Sequence, residues 1–550
     1  MYFNEKILVG KSDNKEAYIL PKMANRHGII SGASGSGKTI TLKVLAESFS
    51  DARVPVFLVD VKGDLAGTAL NGTMNSNIET RIENLKLENF NLKKYPTTFW
   101  DVYGKYGHPI RTTVAKVGPK LLSKMLDLSD AQEGILTIAF KIAEDEGLQL
   151  VDLKDLRSIL SYIGDKRKDY SLSYGNITVQ SVGSIQRNIL SLQEEGGDYF
   201  FGKPDFEIKD FIHYDGDTGN GQINILDASI LFQKPNLYST FLLWLLTYLY
   251  NSMPEVGDLD KPKLVFFIDE AHLLFDNISR PLLNSIIQIV KLIRSKGVGL
   301  YFISQSPSDI PDEILSQLGN RIQHVLRYYT KNDEKAIKAA ANSFRLNPNM
   351  DIVEEIKNLG TGVALVSFQD EKGNPEIVEK VTILPPQSAM GAIDDEIRDE
   401  LIKRSYLYGK YEYVIDDETA HEKLTKVKKE EEEKKQQLEE EKLKEKEEAL
   451  AQKQREKEEK EEEKKRKEEE RQRKEEERIA EKERKEQERK LKEEERERKA
   501  KEKEEERKRK EEEKARKNTV GYKLGKKVVN KATNKVIDRG LNKVLKGLFK

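Results

Sequence analysis

Cysteine is absent from the 550 residues, which excludes disulfides and thiolate metal sites and fits a reducing compartment. Long apolar runs are missing too. The longest, STFLLWLLTYLY at 239–250, has 12 residues, whereas a membrane-spanning helix needs about 20. It reads as a buried helix. The opening MYFNEKILVGKSDNKE is charged from residue 5 and lacks the apolar centre of a signal peptide. Gly and Pro are missing from 422–517, so nothing there punctuates a helix. The expectation is a soluble, cytoplasmic globular unit over about 420 residues, followed by something different in kind.

A chain of this length predicts two or three domains. Charge divides it as well: residues 1–420 carry a net −10 and residues 421–550 a net +9. Most of the positive excess lies in the last 33 residues, where nine basic side chains face the single acid Asp538.

Residues 1–70 alternate strand and helix patterns: RHGIISG, then GKTITLKVLAESFSD, then VPVFLVDVKGD. That rhythm predicts a parallel sheet with crossover helices. From about 71 to 215 the pattern is mainly helical and interrupts the sheet. Strands resume with GQINILDA, KLVFFIDE, VGLYFISQ and NRIQHVLRY, and TGVALVSF with PEIVEKVTIL reads as a closing hairpin. The main domain therefore spans 1–390, with a helical extension over 391–421. In 422–517 blocks of Glu alternate with blocks of Lys and Arg. Large apolar residues are too few for a heptad seam, and opposite charges three and four apart favour a solvated single helix. The alternative is a disordered linker. In 518–550, Val520, Leu524, Val528, Ala532, Val536, Val544 and Leu548 fall on one face between lysines. This basic amphipathic segment suits an anionic membrane, nucleic acid, an acidic protein or a surface of its own chain.

The strongest motif is Gly32-x4-Gly37-Lys38-Thr39 between an apolar strand and an amphipathic helix. Its residues Gly32, Ala33, Ser34, Gly35, Ser36 and Gly37 wrap phosphates with backbone N–H groups, with a helix N-terminus behind them. Lys38 reaches the β and γ phosphates, and Thr39 gives an oxygen to Mg²⁺. A second acidic element is then required, and KLVFFIDEAH supplies it. Asp269 would hold Mg²⁺, and Glu270 would orient and deprotonate the attacking water. That points to ATP hydrolysis by water, not transfer to a second substrate. The strand VGLYFISQ ends in Ser304 and Gln305, and Gln305 could sense the γ-phosphate. Arg294, just before that strand, reads from the residues alone as a surface cation at a helix end.

The set SGASGSGKT, VDVKGDL, FIDEAHLLF, RSKGVGLYFISQSPSDIP and LSQLGNRIQHVLR resembles the HerA-like branch of the HerA/FtsK superfamily. In detail it is similar to the YjgR-type ATPases, over roughly residues 15–390. The resemblance implies a RecA-like P-loop fold, a hexameric ring, ATP with Mg²⁺, and movement of DNA through a central pore. It further implies that Gln305 is the sensor glutamine and that Arg294 is an arginine finger acting on a neighbouring subunit. Asp60 matches a polar position near the Mg²⁺ water shell. Archaeal-type HerA carries an N-terminal barrel that docks a nuclease, whereas only 31 residues precede the loop here. A nuclease partner of that kind is not expected.

The acidic globular part sets a difficulty for DNA binding, which depends on phosphate neutralisation. YIGDKRKDYS at 162–171 is a candidate basic loop. A chromosome-clamp ATPase is excluded by motif order, because both nucleotide motifs precede the charged helix. The remaining rival is a non-translocating assembly ATPase that docks a membrane or protein partner through its charged helix and basic end.

Overall fold

The computed structural model describes residues 1–12, 15–276, 278–486 and 504–510. Among these, thirteen strands join in one sheet. In chain order they are β1 (Tyr2–Phe3), β2 (Lys6–Lys11), β3 (Glu16–Ile19), β4 (Gly28–Ser31), β5 (Val56–Asp60), β6 (Thr97–Asp101) and β7 (His108–Pro109). There follow β8 (Ile223–Asp227), β9 (Leu264–Ile268), β10 (Val298–Ser304), β11 (Asn320–Gln323), β12 (Val363–Ser367) and β13 (Glu379–Ile383). Their spatial order is β1-β2-β13-β12-β11-β4-β10-β9-β5-β8-β6-β7, with β3 on β2. Every pairing from β11 to β7 is parallel. The strands β1, β2, β3, β12 and β13 pair antiparallel.

The central strands are buried along their whole length, as their continuous apolar runs require when helices cover both faces. Successive side chains point to opposite faces. Phe57, Val59, Phe266, Ile268, Leu300 and Phe302 therefore enter one core, while Val56, Leu58, Val265, Phe267, Tyr301 and Ile303 enter the other. Helix α1 (Lys38–Asp51) covers the second face. Its Leu42, Leu45 and Phe49 are fully buried, and the Phe49 ring lies 5.9 Å from that of Tyr301. Full burial of each such side chain contributes about 1.5–3 kcal/mol. The first face carries the helices Val114–Met125, Asp130–Asp145, Leu153–Asp165, Val179–Glu194 and Pro235–Ser252.

The apolar run 239–250 lies in the last of these, packed into the core. No helix among the described residues is long and apolar enough to cross a membrane. The region 71–215 does more than interrupt the sheet, because it also contributes β6 and β7, which extend the sheet beyond β8. Their runs are short and include Thr, Trp, His and Pro, which hid them from pattern reading. The amino-terminal residues form an antiparallel hairpin before the first parallel strand.

Met1–Glu432 is one compact unit, and Glu433–Lys550 is a second. A helix covers Ala420–Glu486. Glu463 with Lys467 and Glu470 with Lys474 pair at i, i+4 on it, the orientation that supports an exposed helix. The basic amphipathic segment expected at 518–550 lies outside the described residues.

After β13 a helix, Asp395–Arg404, drives Arg398 beneath the sheet. Its guanidinium donates to Asp227 Oδ2 at 2.6 Å, and both side chains are under a tenth exposed. It also lies over the rings of Phe99 and Tyr106. Removing one partner of a buried pair leaves an uncompensated charge, at a cost of about 3–5 kcal/mol. Arg398→Met is expected to lower stability by that amount in denaturant unfolding, and Arg398→Met with Asp227→Leu to recover most of it. An Arg398→Met variant as stable as the parent would contradict this.

Candidate active site

Parallel pairing in register brings several strand ends to one edge. Ser31 of β4 lies beside Ser304 of β10, Phe302 beside Ile268 of β9, and Ile268 beside Val59 of β5. The residues that follow, Gly32, Gln305, Asp269 and Asp60, therefore emerge together at the carboxyl ends of the parallel strands. Ligands bind at that edge in open α/β sheets.

The loop 32–37 turns there into α1. Gly32 has φ +155°, and a Cβ on it would sit 2.5 Å from the Cβ of His324. Gly35 has φ +74°, and a Cβ there would meet nothing within 4 Å. The first glycine permits close packing underneath, while the second leaves the hollow of the loop open. Lys38 Nζ folds over that hollow and donates to the carbonyls of Gly32 at 2.6 Å and Ala33 at 3.1 Å. Thr39 follows on the first turn of α1, half-buried.

Asp269 and Glu270 face this loop. Asp269 is buried; its Oδ1 accepts from the Glu270 amide at 2.9 Å, and its Oδ2 has no partner. Burial, with the Glu270 charge beside it, pushes its carboxyl up to about 6. Glu270 has φ +45°, a left-handed conformation rare for a side chain of this size. Its Oε1 accepts from Lys62 Nζ at 2.5 Å. Burial acts to raise its carboxyl, but the Lys62 hydrogen bond and charge, with His272 and Lys38, hold it below the usual range. Its Oε2 makes no hydrogen bond but lies 3.3 Å from His272 Nδ1, whereas Ser36 Oγ and Tyr238 Oη are, like Asp269 Oδ2, buried without a partner. Burial and then the charges of Asp269 and Glu270 raise the Tyr238 phenol.

These unpartnered oxygens decide what the site fits. A buried polar atom without a partner costs about 1–3 kcal/mol, and several of them beside an open phosphate-type loop call for a polar, charged occupant. No group of three or more His, Asp or Glu among the described residues forms a metal cage by itself. Magnesium suits such a site, because it is held by one or two side chains plus substrate phosphates and waters. The oxygens of Thr39 and Asp269 fit that role, and the loop amides with Lys38 fit a triphosphate.

Asp60 is used differently. Its carboxylate accepts from the amides of Lys62, Gly63 and Leu65 at 3.2, 2.7 and 3.0 Å, shaping the turn after β5. Burial, against those hydrogen bonds, pushes it up to about 7. Gln305 stands exposed at the end of β10. Arg294 is not brought to the site. It precedes β10, at the strand's opposite end, and pairs with Asp258 at 3.4 Å. Seven strand residues put it about 23 Å from the loop's edge of the sheet. The candidate basic loop 162–171 is largely helical, and its Lys166 pairs with Glu431 at 2.7 Å.

Sequence reasoning passed over three residues of this site. Lys62 lies within VDVKGDL, where nothing in the spacing singles it out. Tyr238 sits within an apolar helix. His324, in NRIQHVLR, lies under the loop: its Nδ1 is 3.1 Å from the Val363 carbonyl and its Nε2 is 2.8 Å from Thr41 Oγ1. A carbonyl only accepts, so Nδ1 carries the proton and Nε2 accepts from Thr41.

The family described as helicase HerA-like C-terminal matches residues 5–494. The DNA double-strand break repair helicase HerA of Sulfurisphaera tokodaii is 27 % identical over 383 residues, 66 % of each chain. The probable helicase MJECL08 of Methanocaldococcus jannaschii is 24 % identical over 388 residues, 66 % of this chain and 69 % of that one. This chain thus spans roughly two thirds of the relatives' length. Among solved structures, VirB4 of Thermoanaerobacter pseudethanolicus aligns with a TM-score of 0.46 and 14 % identity, over 70 % of this chain and 96 % of that one.

Burial lowers the His324 imidazole to about 4, so it stays neutral in the fold where the unfolded chain protonates near 6.5. The fold is then penalised as pH falls from 6.5 towards 4, by up to about 3 kcal/mol. Relative to His324→Asn, the parent is expected to lose stability across that window and to hold constant above it. Parallel stability–pH curves for the two proteins would contradict the assignment.

Proposed function

The chain belongs to the helicase HerA-like C-terminal family, and from that premise we propose that it is an ATP hydrolase that drives movement along DNA as a ring of six copies. One observation carries the hydrolytic part. The phosphate-type loop, Asp269 and Glu270 meet at one strand edge and leave buried oxygens without partners.

In this reading the amides of 32–37 and Lys38 bind the β and γ phosphates. Thr39 and Asp269 would hold Mg²⁺, which neutralises charge developing on the phosphate oxygens. Glu270 orients the attacking water and takes its proton. Gln305, at the end of the neighbouring strand, contacts the γ-phosphate and passes its presence to β10. Asp60 keeps the adjoining turn in shape and would stand near the water shell of a bound Mg²⁺. Arg294 acts on the nucleotide of a neighbouring copy, which the far end of β10 permits and the same copy's site does not. Neutralising the transition-state charge in this way is worth about 10³–10⁵ in rate.

The relatives named as helicases support DNA as the substrate. The acidic globular part confines the contact to local basic surfaces. A cavity of about 630 Å³ is lined by Lys116, Lys120 and Lys124; Lys116 is paired with Asp205 at 2.9 Å, so Lys120 and Lys124 carry the cavity's positive charge. It offers phosphate contacts away from the nucleotide site. A protein or anionic-membrane partner for 518–550 is compatible with this reading.

Glu270→Gln is expected to keep ATP affinity while turnover falls about 10²–10⁴-fold, the range of a general base. Arg294→Ala is expected to be inactive too. Co-assembling the two inactive variants should restore turnover, because some interfaces then combine an intact Glu270 with a neighbour's intact Arg294. Full turnover in Glu270→Gln would contradict the site assignment. No recovery on mixing would contradict action between copies.

A further inference from the structure

The turn after β5 is built around a carboxylate. Asp60 gathers three backbone amides, and Gly63 takes φ +73°. The turn presents Lys62 across the site, where Nζ reaches Glu270 Oε1 at 2.5 Å. The two partners differ sharply in freedom. Glu270 is 8 % exposed and Lys62 is 50 % exposed. The carboxylate is fixed by its surroundings, while the ammonium sits on a flexible four-carbon stem.

Lys38 shares this field. It is drawn towards the charges of Glu270 and Asp269 and repelled by Lys62, while its Nζ rests on loop carbonyls. Two ammonium groups thus converge on the space in front of Glu270, one from the phosphate loop and one from the turn after β5. A terminal phosphate placed there offers Lys62 more negative charge than a single carboxylate does. While Lys62 holds Glu270 Oε1, its ammonium draws on the charge that would take a proton from water, and only Oε2, 3.3 Å from His272 Nδ1, is left.

We propose that Lys62 is a second phosphate-contacting cation that changes partner: it holds Glu270 until a terminal phosphate arrives, then turns to that phosphate and releases Glu270 to the water. The proposal rests on the nucleotide-hydrolysis reading above. A diphosphate leaves Lys62 on Glu270, so the same side chain tells triphosphate from diphosphate.

The experiment uses the full chain with Mg²⁺ and measures the affinity of ADP and of a non-hydrolysable ATP analogue. Lys62→Met is expected to weaken the triphosphate analogue at least tenfold while ADP affinity stays within twofold. The retained ADP binding reports an intact fold. Lys62→Arg, which keeps the charge, is expected to keep the preference for the triphosphate. Equal losses for both nucleotides, or no loss for either, would overturn the proposal and leave Lys62 as a plain structural ion pair. A parent protein that binds neither nucleotide would overturn the hydrolysis reading and this proposal together.

Discussion

A strand buried on both faces can offer polar chemistry only at its ends. In this molecule β4, β5, β9 and β10 are apolar and enclosed from end to end, because helices cover both sides of the parallel sheet. Their polar residues collect where the strands stop: Asp60, Asp269 and Glu270, Gln305, and the loop that begins at Gly32. Parallel register makes those stops coincide. The site therefore follows from the packing, and any change that shifts the register of β9 against β10 would pull its parts away from one another.

Charge at that edge is unbalanced in an informative way. Asp60, Asp64, Asp269 and Glu270 crowd around Lys38 and Lys62. Burial raises Asp60 and Asp269 well above ordinary carboxylates, and Asp64 is raised for the same reason. Glu270 alone is held low, because Lys62 is on it. An acidic edge with raised carboxylates accommodates a divalent cation, and the neighbouring loop with its free hollow accommodates phosphates. Beneath it, His324 stays neutral between Thr41 and Val363. That spares the loop a second buried charge behind Lys38.

Much of this was legible in the sequence where the chemistry is local. Gly32 to Thr39 are contiguous, and Asp269 with Glu270 follow a five-residue apolar strand, so spacing alone revealed both. The closing hairpin β12–β13 was legible from its two strand-like runs. Contacts between distant residues were not. Lys62 and Glu270 are 208 positions apart and His324 and Thr41 are 283 apart, and no periodicity links such pairs. The strands β6 and β7 were hidden by their short, mixed runs. Arg294 carried meaning only through family resemblance, and its place at the far end of β10 now limits any catalytic part to another copy.

The central claim is that turnover at this edge is coupled to DNA. The measurement that tests it most directly is the steady-state ATPase rate with and without long duplex DNA, at low and at physiological salt. The account predicts a several-fold stimulation by DNA that weakens as salt rises, since phosphate contacts release counterions. A robust rate that ignores DNA at both salt concentrations would contradict it, and would favour an assembly ATPase that acts through its charged helix and basic end.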